Sequence, residues 1–151
     1  MHILVPTDFS KEAESAFPTV LKHVGLVGKD SAKISIVTVI EDLVPISVQF
    51  EFGLSYVDTK GLQEEATTQA KKSIEKIALE KFAGYNVEGH VIVASRPVHQ
   101  EVVEFAKHNG VDLIIMSTHG RTGFRHLVLG SVAERVVREA SMPVMVVPCS
   151  E

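Results

Sequence analysis

The residues best equipped for chemistry lie between Ser117 and Ala133. Gly120, Gly123 and Gly130 punctuate a polar connection that carries His119, Arg121, Arg125 and His126, and Ser131 follows directly. Just before it, Leu113 to Met116 is an unbroken apolar run, which suits a strand buried on both faces. Ser131-x-x-Glu134 ahead of Val136 and Val137 reads as a capping box, so a helix is expected to start at Ser131. A strand, a glycine-rich connection and a helix N-terminus together form an anion-binding arrangement. Free backbone N–H groups and the positive end of the helix dipole converge there, and glycine lets a ligand come close to the backbone. The same residues also serve an ordinary turn and cap. The stretch has neither Gly-Lys-Ser/Thr nor Gly-x-Gly-x-x-Gly, so it matches no common phosphate loop. On residue types alone, both readings stay open.

Other reactive side chains point to less. Seven histidines invite a metal reading, yet only His119 and His126 share a segment and no carboxylates cluster with them, so no metal site is expected. Ser117, Ser131 and His119 do not make a hydrolase, because the Gly-x-Ser-x-Gly elbow is missing. Cys149 has no base nearby in sequence and is not expected to be a nucleophile. Lys71, Lys72, Lys76 and Lys81 alternate with Glu64, Glu65, Glu75 and Glu80, which reads as a solvated helix face. No catalytic residue is nominated.

The 151 residues fit one domain spanning 1–151, with enough chain for a core, and the 45% apolar content argues against disorder. The longest apolar runs fall far short of a membrane span, so no membrane partner is expected. The opening Met-His-Ile-Leu-Val-Pro reads as a first strand rather than a targeting segment. A single cysteine fits a reducing, cytoplasmic setting. A net charge of -4 argues against nucleic acid as a partner, although residues 117–140 hold four arginines against two glutamates.

The elements that must position the loop follow from periodicity. His2 to Thr7 is a first strand. Ser10 can cap a helix from Lys11 to about Val24, with Pro18 inside it as a kink and Gly25 and Gly28 closing it. Lys33 to Ile40 is the second strand. The segment from Glu41 to Val57 is apolar for a loop and is expected to cover the body or form a lid. Asp58 to about Phe82 is a helix with an inward stripe of Leu62, Ala66, Ala70, Ile74, Ile77 and Phe82. Val87 to Ala94 is the third strand. Pro97 fits the first position of a helix to about His108, with Val98, Val102, Phe105 and Ala106 facing inward. Val111 to Met116, Ser131 to about Ala140 and Pro143 to Val147 supply the fourth strand, fourth helix and last strand.

Strands and helices that alternate in this way predict an α/β fold: a single-domain, doubly wound, five-stranded parallel sheet with helices on both faces, and in the order 3-2-1-4-5 the carboxyl ends of the first and fourth strands are neighbours. Ligands of such sheets sit beyond the carboxyl ends of the strands, where the order reverses. Asp8 leaves the first strand at that point and the glycine connection leaves the fourth. A carboxylate would then face anion-binding amides, which suits a nucleotide, with Val39 as an apolar wall for a purine. Taken alone, Asp8 is equally a cap near Ser10.

The chain resembles the universal stress protein family over nearly its whole length. Ile-Leu-Val-Pro-Thr-Asp-Phe-Ser from Ile3 is similar to that family's first strand. Met116-Ser-Thr-His-Gly-Arg-Thr-Gly, Leu129-Gly-Ser-Val-Ala-Glu-Arg-Val and Pro143-Val-Met-Val-Val are similar to its C-terminal signature. The ATP-binding branch carries Gly-x2-Gly-x9-Gly followed by Ser or Thr; here Gly120, Gly130 and Ser131 keep the spacing, while Ser117 replaces the first glycine. By this resemblance, Asp8 would contact adenosine, with Pro6, Thr7, Val39 and Met116 around base and sugar. Ser117, His119, Gly120, Gly130, Ser131, Val132 and Ala133 would line the ribose and phosphates, with Arg121 either near the phosphates or facing solvent. The implied ligand is ATP, with or without Mg²⁺, or AMP or ADP, and Ser117 is expected to weaken or alter binding. The resemblance also implies a homodimer paired through Pro143–Val147, and a short apolar edge strand is physically suited to that.

The expectation is therefore a cytoplasmic, adenine-nucleotide-binding stress-response switch with little or no ATPase activity, acting on an unknown protein partner. The rival is a protein-interaction module of the same fold that binds no nucleotide, which Ser117 favours. A phospho-receiver would want clustered acids, but Asp8 stands alone and the third strand ends in Ala94-Ser95. An ATP pyrophosphatase would want a Ser-Gly-Gly loop, and Pro6-Thr7-Asp8-Phe9-Ser10 differs.

Overall fold

The computed structural model describes residues 1–41, 59–118 and 129–149. The chain begins with strand β1 (His2–Pro6), followed by helices α1 (Lys11–Glu14) and α2 (Phe17–Val27) and a 3₁₀ turn (Lys29–Ser31). Strand β2 (Lys33–Ile40), helix α3 (Thr59–Lys81), strand β3 (Val87–Val93) and helix α4 (Val98–His108) come next. Strand β4 (Leu113–Ser117), helix α5 (Ser131–Glu139) and strand β5 (Val144–Val147) complete the chain. The five strands form one sheet in the order β3-β2-β1-β4-β5, and every neighbouring pair is parallel. This is the expected topology.

The apolar runs of β1 and β4 are buried on both faces, as a central parallel strand requires. Ile3, Leu4 and Val5 have no exposed surface, nor do Ile114 and Ile115. Alternate residues serve opposite sides. Ile3, Val5, Ile34, Ile36, Leu113 and Ile115 pack with Phe17 and Val20 of α2 and Ile74 and Ile77 of α3. Leu4, Val37, Ile114 and Met116 pack with Val102 and Ala106 of α4 and Ala133 and Val136 of α5. The two helical layers are thus set by strand periodicity. Each fully buried aliphatic side chain contributes about 1.5–3 kcal/mol relative to exposure.

Three expectations need correction. The single helix kinked at Pro18 is instead two helices. α1 stops at Glu14 and α2 starts at Phe17, which leaves Pro18 in the first turn of α2. There the absent N–H would have had no helical acceptor, so proline costs little. The helix then runs through Gly25, and Gly28 ends it at φ 97° with its N–H on the Val24 carbonyl, 2.9 Å away. The inward stripe of α3 is buried only from Ala70 onward, and Leu62 is 45% exposed. A 23-residue helix extends ~34 Å at 1.5 Å per residue, longer than the strands beneath it, so its first turns overhang the sheet. Finally, Pro97 is the N-cap of α4 rather than its first helical residue.

Where α3 crosses β3, Gly89 leaves room for Ile74; a methyl at that position would overlap Ile74 Cγ2. At the amino ends of the strands, a polar cluster closes the sheet. His2 Nε2 lies 2.8 Å from Ser35 Oγ, which lies 3.4 Å from His90 Nε2. His2 Nδ1 is 3.1 Å from the Asn109 carbonyl, and the His90 ring rests on Phe105 with centroids 4.8 Å apart. Lys33 bridges to Glu88 at 2.8 Å, and Glu88 is 3.7 Å from His90. Burial lowers the His90 pKa below the ordinary histidine value; Glu88 opposes this, and Lys33 and His2 add to it.

A pH dependence follows. With its folded pKa below the unfolded value, His90 takes up its proton more readily in the unfolded chain. Its contribution to stability is intact above the ordinary value of about 6.5 and declines as pH falls toward the folded pKa. Urea unfolding at pH 7.5 and 5.5 should therefore show a smaller acid loss in His90→Gln than in the parent. Equal losses would remove His90 from the acid response.

Candidate functional site

A cleft of about 310 Å³ opens at the carboxyl ends of β1, β2 and β4, between the amino ends of α4 and α5. β1 delivers Pro6, Thr7 and Asp8 to it, and β4 delivers Met116, Ser117 and Thr118. The start of α5 contributes Gly130, Ser131, Val132 and Ala133. Val39 lines the β2 side. Ten of the sequence-nominated residues therefore share one cavity. His119, Gly120 and Arg121 lie outside the described residues, as does nearly all of the segment from Glu41 to Val57.

Two hydrogen bonds organise the β4 side. Thr118 donates its N–H to the Val147 carbonyl at 2.9 Å, and the Thr118 carbonyl accepts the Gly130 N–H at 2.8 Å. The second bond brings the two ends of the glycine connection together. Cys149 ties the same corner. Its thiol donates to the Glu12 carbonyl at 3.7 Å and accepts from Ser15 Oγ at 3.8 Å and Thr118 Oγ1 at 3.9 Å.

The expected capping box is not made. Gly130 is the N-cap of α5, with no side-chain cap bond, and Glu134 instead pairs with Arg138 at 2.7 Å. The first helical bond runs from Glu134 N–H to the Gly130 carbonyl at 2.9 Å. The N–H groups of Ser131, Val132 and Ala133 have no acceptor among the described residues, as expected of an uncapped first turn. Three donors and the positive helix end are thus left at the cleft wall.

On the β1 side, Asp8 lines the cleft and also supports the cap at Ser10. Its Oδ1 accepts the N–H of Ser10 at 3.0 Å and also the Ser10 hydroxyl. Ser10 Oγ in turn caps α1 by accepting Ala13 N–H at 3.1 Å. Phe9 between them sits at φ 65°, in the left-handed region, with its N–H on Thr7 Oγ1 at 3.1 Å.

Sequence reasoning missed six lining residues. Ala13, Val98 and Val102 come from helices. Val37 and Glu41 share a strand face with Val39, and that alternation was a usable signal. Thr118 follows Ser117 directly. Beyond the lining, His99 is buried and meets Glu139 at 3.2 Å, joining α4 to α5. Among the described residues, no group of three or more His, Cys, Asp or Glu side chains could hold a metal ion.

Glu101 fixes the turn that carries Val98 into the cleft. Its Oε1 accepts Ser95 N–H at 2.8 Å, Ser95 Oγ at 3.1 Å and Arg96 N–H at 3.2 Å, with Arg96 Nε at 3.5 Å. Burial works to raise this carboxyl's pKa, but the bonds from Ser95 and the nearby Arg96 charge outweigh it and hold the group below the ordinary carboxylate value. Stability from the shift is present above that ordinary value and is lost as pH falls through the folded one. Glu101→Ala strands the Ser95 and Arg96 N–H groups. A loss of about 1–3 kcal/mol is expected in urea unfolding at pH 7, with a smaller loss for Glu101→Gln.

Comparison with known proteins agrees with this architecture. A family model described as the universal stress protein family matches residues 1–148. Universal stress protein MJ0577 of Methanocaldococcus jannaschii is 36% identical over 157 aligned residues, covering 96% of this chain and 93% of that protein. A solved structure of protein MJ0577 superposes with a TM-score of 0.75 at 32% identity, covering 99% and 96% of the two chains. Two more distant structures share the fold. The universal stress protein of Archaeoglobus fulgidus in complex with dAMP matches at a TM-score of 0.56 and 22% identity, covering 97% of each chain. A family protein from Arabidopsis thaliana with AMP bound matches at a TM-score of 0.60 and 15% identity, covering 99% of this chain and 92% of its own. From the match across its length and the identity to MJ0577, the chain belongs to the universal stress protein family.

Proposed function

We propose that this protein binds an adenine nucleotide, whether ATP with or without Mg²⁺, ADP or AMP, in the cleft between Asp8 and the start of α5. The observation that carries the reading is the convergence of three open α5 amides and the Asp8 carboxylate on one cavity. The amides and helix dipole would receive phosphate oxygens, from Ser131, Val132 and Ala133. Asp8 would accept bonds from the nucleoside, and Pro6, Thr7, Val39 and Met116 would enclose it. Ser117, Gly130 and the hydroxyl of Ser131 would lie along the ribose and phosphates, with His119, Gly120 and Arg121 joining them from the connection. Two family members, from Archaeoglobus fulgidus and Arabidopsis thaliana, were solved with dAMP and AMP, which supports an adenine ligand here.

The reading is of a switch rather than an efficient hydrolase. Phosphoryl transfer wants a metal–phosphate clamp and an aligned nucleophile, and the reading nominates no residue for either. Nucleotide would order the 118–129 connection and so alter the surface offered to a protein partner in a cytoplasmic stress response. The competing reading, an interaction module without nucleotide, draws on Ser117, whose side chain stands where the motif has glycine.

Isothermal titration with ATP, ADP and AMP decides between them. Saturable binding is expected, and no heat at millimolar nucleotide would overturn the proposal. Gly130 has φ −58° and ψ 150°, a conformation open to any residue, so Gly130→Val adds bulk at the cleft without backbone strain. It should weaken binding by about tenfold or more, ~1.4 kcal/mol; unchanged affinity would remove α5 from the site.

The proposal includes a homodimer in which β5, an edge strand, pairs antiparallel with its copy. Ile114 N–H bonds to the Pro143 carbonyl and Thr118 N–H to the Val147 carbonyl, so the odd-numbered residues of this stretch face β4 and Val146 faces the open edge. Sedimentation equilibrium should give a dimer for the parent and a monomer for Val146→Pro. A monomeric parent would exclude this assembly.

A further inference from the structure

Among the described lining residues of the cleft, Glu41 is the one whose charge the nucleotide reading leaves unused. It follows the end of β2 and shares its strand face with Val37 and Val39. Its carboxylate is exposed and has no partner among the described residues. The cleft crosses the sheet in the order β2, β1, β4. Strands lie ~4.8 Å apart, so Glu41 is about two strand spacings from the β4 side. The open amides of α5 are held at that far side by the Gly130–Thr118 bond. A nucleotide with its phosphate on those amides and its sugar across β1 presents its base to β2. Val39 would meet the ring face, and Glu41 would meet the ring edge.

An ionised carboxylate only accepts hydrogen bonds. It rewards an exocyclic amine at that edge, penalises a carbonyl oxygen in the same place and gains no hydrogen bond from a C–H there. Resting on the nucleotide reading above, we propose that Glu41 is the base-selecting residue of the cleft, accepting a hydrogen bond from the 6-amino group of a purine and rejecting 6-oxo and unsubstituted purines.

The test is titration of the full chain with AMP, IMP and purine riboside 5′-monophosphate, which lacks the 6-amino group but is otherwise AMP. The parent should prefer AMP by about tenfold over either analogue, a moderate ratio because Glu41 is solvated rather than sealed in. In Glu41→Ala both ratios should fall to about one: AMP weakens, IMP tightens as the repulsion of its 6-oxo group is relieved, and purine riboside monophosphate is unaffected. Glu41→Gln should keep a preference over purine riboside monophosphate, because its amide oxygen still accepts. Since Glu41 is exposed, the thermal midpoint of each variant should match the parent. Three results would overturn the proposal: a parent ratio near one, a ratio that survives in Glu41→Ala, or equal weakening toward AMP and purine riboside monophosphate. If the parent binds none of the three nucleotides, the nucleotide reading falls and this inference falls with it. Tight AMP binding without discrimination sinks Glu41's role alone.

Discussion

One hydrogen bond, from the Gly130 N–H to the Thr118 carbonyl at 2.8 Å, governs the geometry of the cleft. Thr118 is itself held to β5 through the Val147 carbonyl, so the start of α5 is referenced to the sheet and not to the connection that precedes it. α5 is also pressed onto the sheet by Ala133 and Val136, both buried in the cluster shared with α4. Apolar burial supplies the force that keeps the helix down, and the hydrogen bond sets where its first turn sits.

The sheet contributes a second constraint. Parallel strands place every carboxyl end on the same edge, and the strand order reverses beside β1. Two segments more than a hundred residues apart are thereby brought to one crevice. The opposite edge carries the His2–Ser35–His90 chain and the Lys33–Glu88 pair. Polar groups that satisfy one another sit at the amino ends of the strands, and the first-turn amides of α5, which have no acceptor among the described residues, sit at the carboxyl ends. The molecule thus separates a self-contained polar end from a receptive one.

Much of this was legible in the residue pattern, and the failures have specific causes. β2 could be bounded to the residue because Lys33 to Ile40 is a long β-branched run with a charge or turn on each side. The parallel, doubly wound sheet followed from alternation and handedness, and the order 3-2-1-4-5, one of those they allow, is the one observed. Pro18 misled because its cost depends on position within a helix, and the two-residue break ahead of α2 has no marker in the sequence. Ser131-x-x-Glu134 misled because a neighbouring Arg138 competes for Glu134 and a glycine can serve as N-cap. The Glu101 anchor was invisible for a different reason: Ser95 and Glu101 are six apart across a turn, and no local periodicity links them. Of the cleft, the strand ends and helix start could be found, whereas Val98 and Val102 required knowing how α4 leans over β2.

The left-handed Phe9 gives the cleft's carboxylate an unusual dependence. The positive φ reverses the chain between Asp8 and Ser10, so that the Phe9 ring joins the cluster beneath α2 while Asp8 remains at the cleft. A bulky residue in that conformation is disfavoured by roughly 1–3 kcal/mol, and the ring's burial opposes the cost. The acid's orientation is therefore moored from the far side of the sheet. A chemically silent aromatic acts as its counterweight, and loosening that hydrophobic grip would swing the acid without altering any atom of the cleft wall.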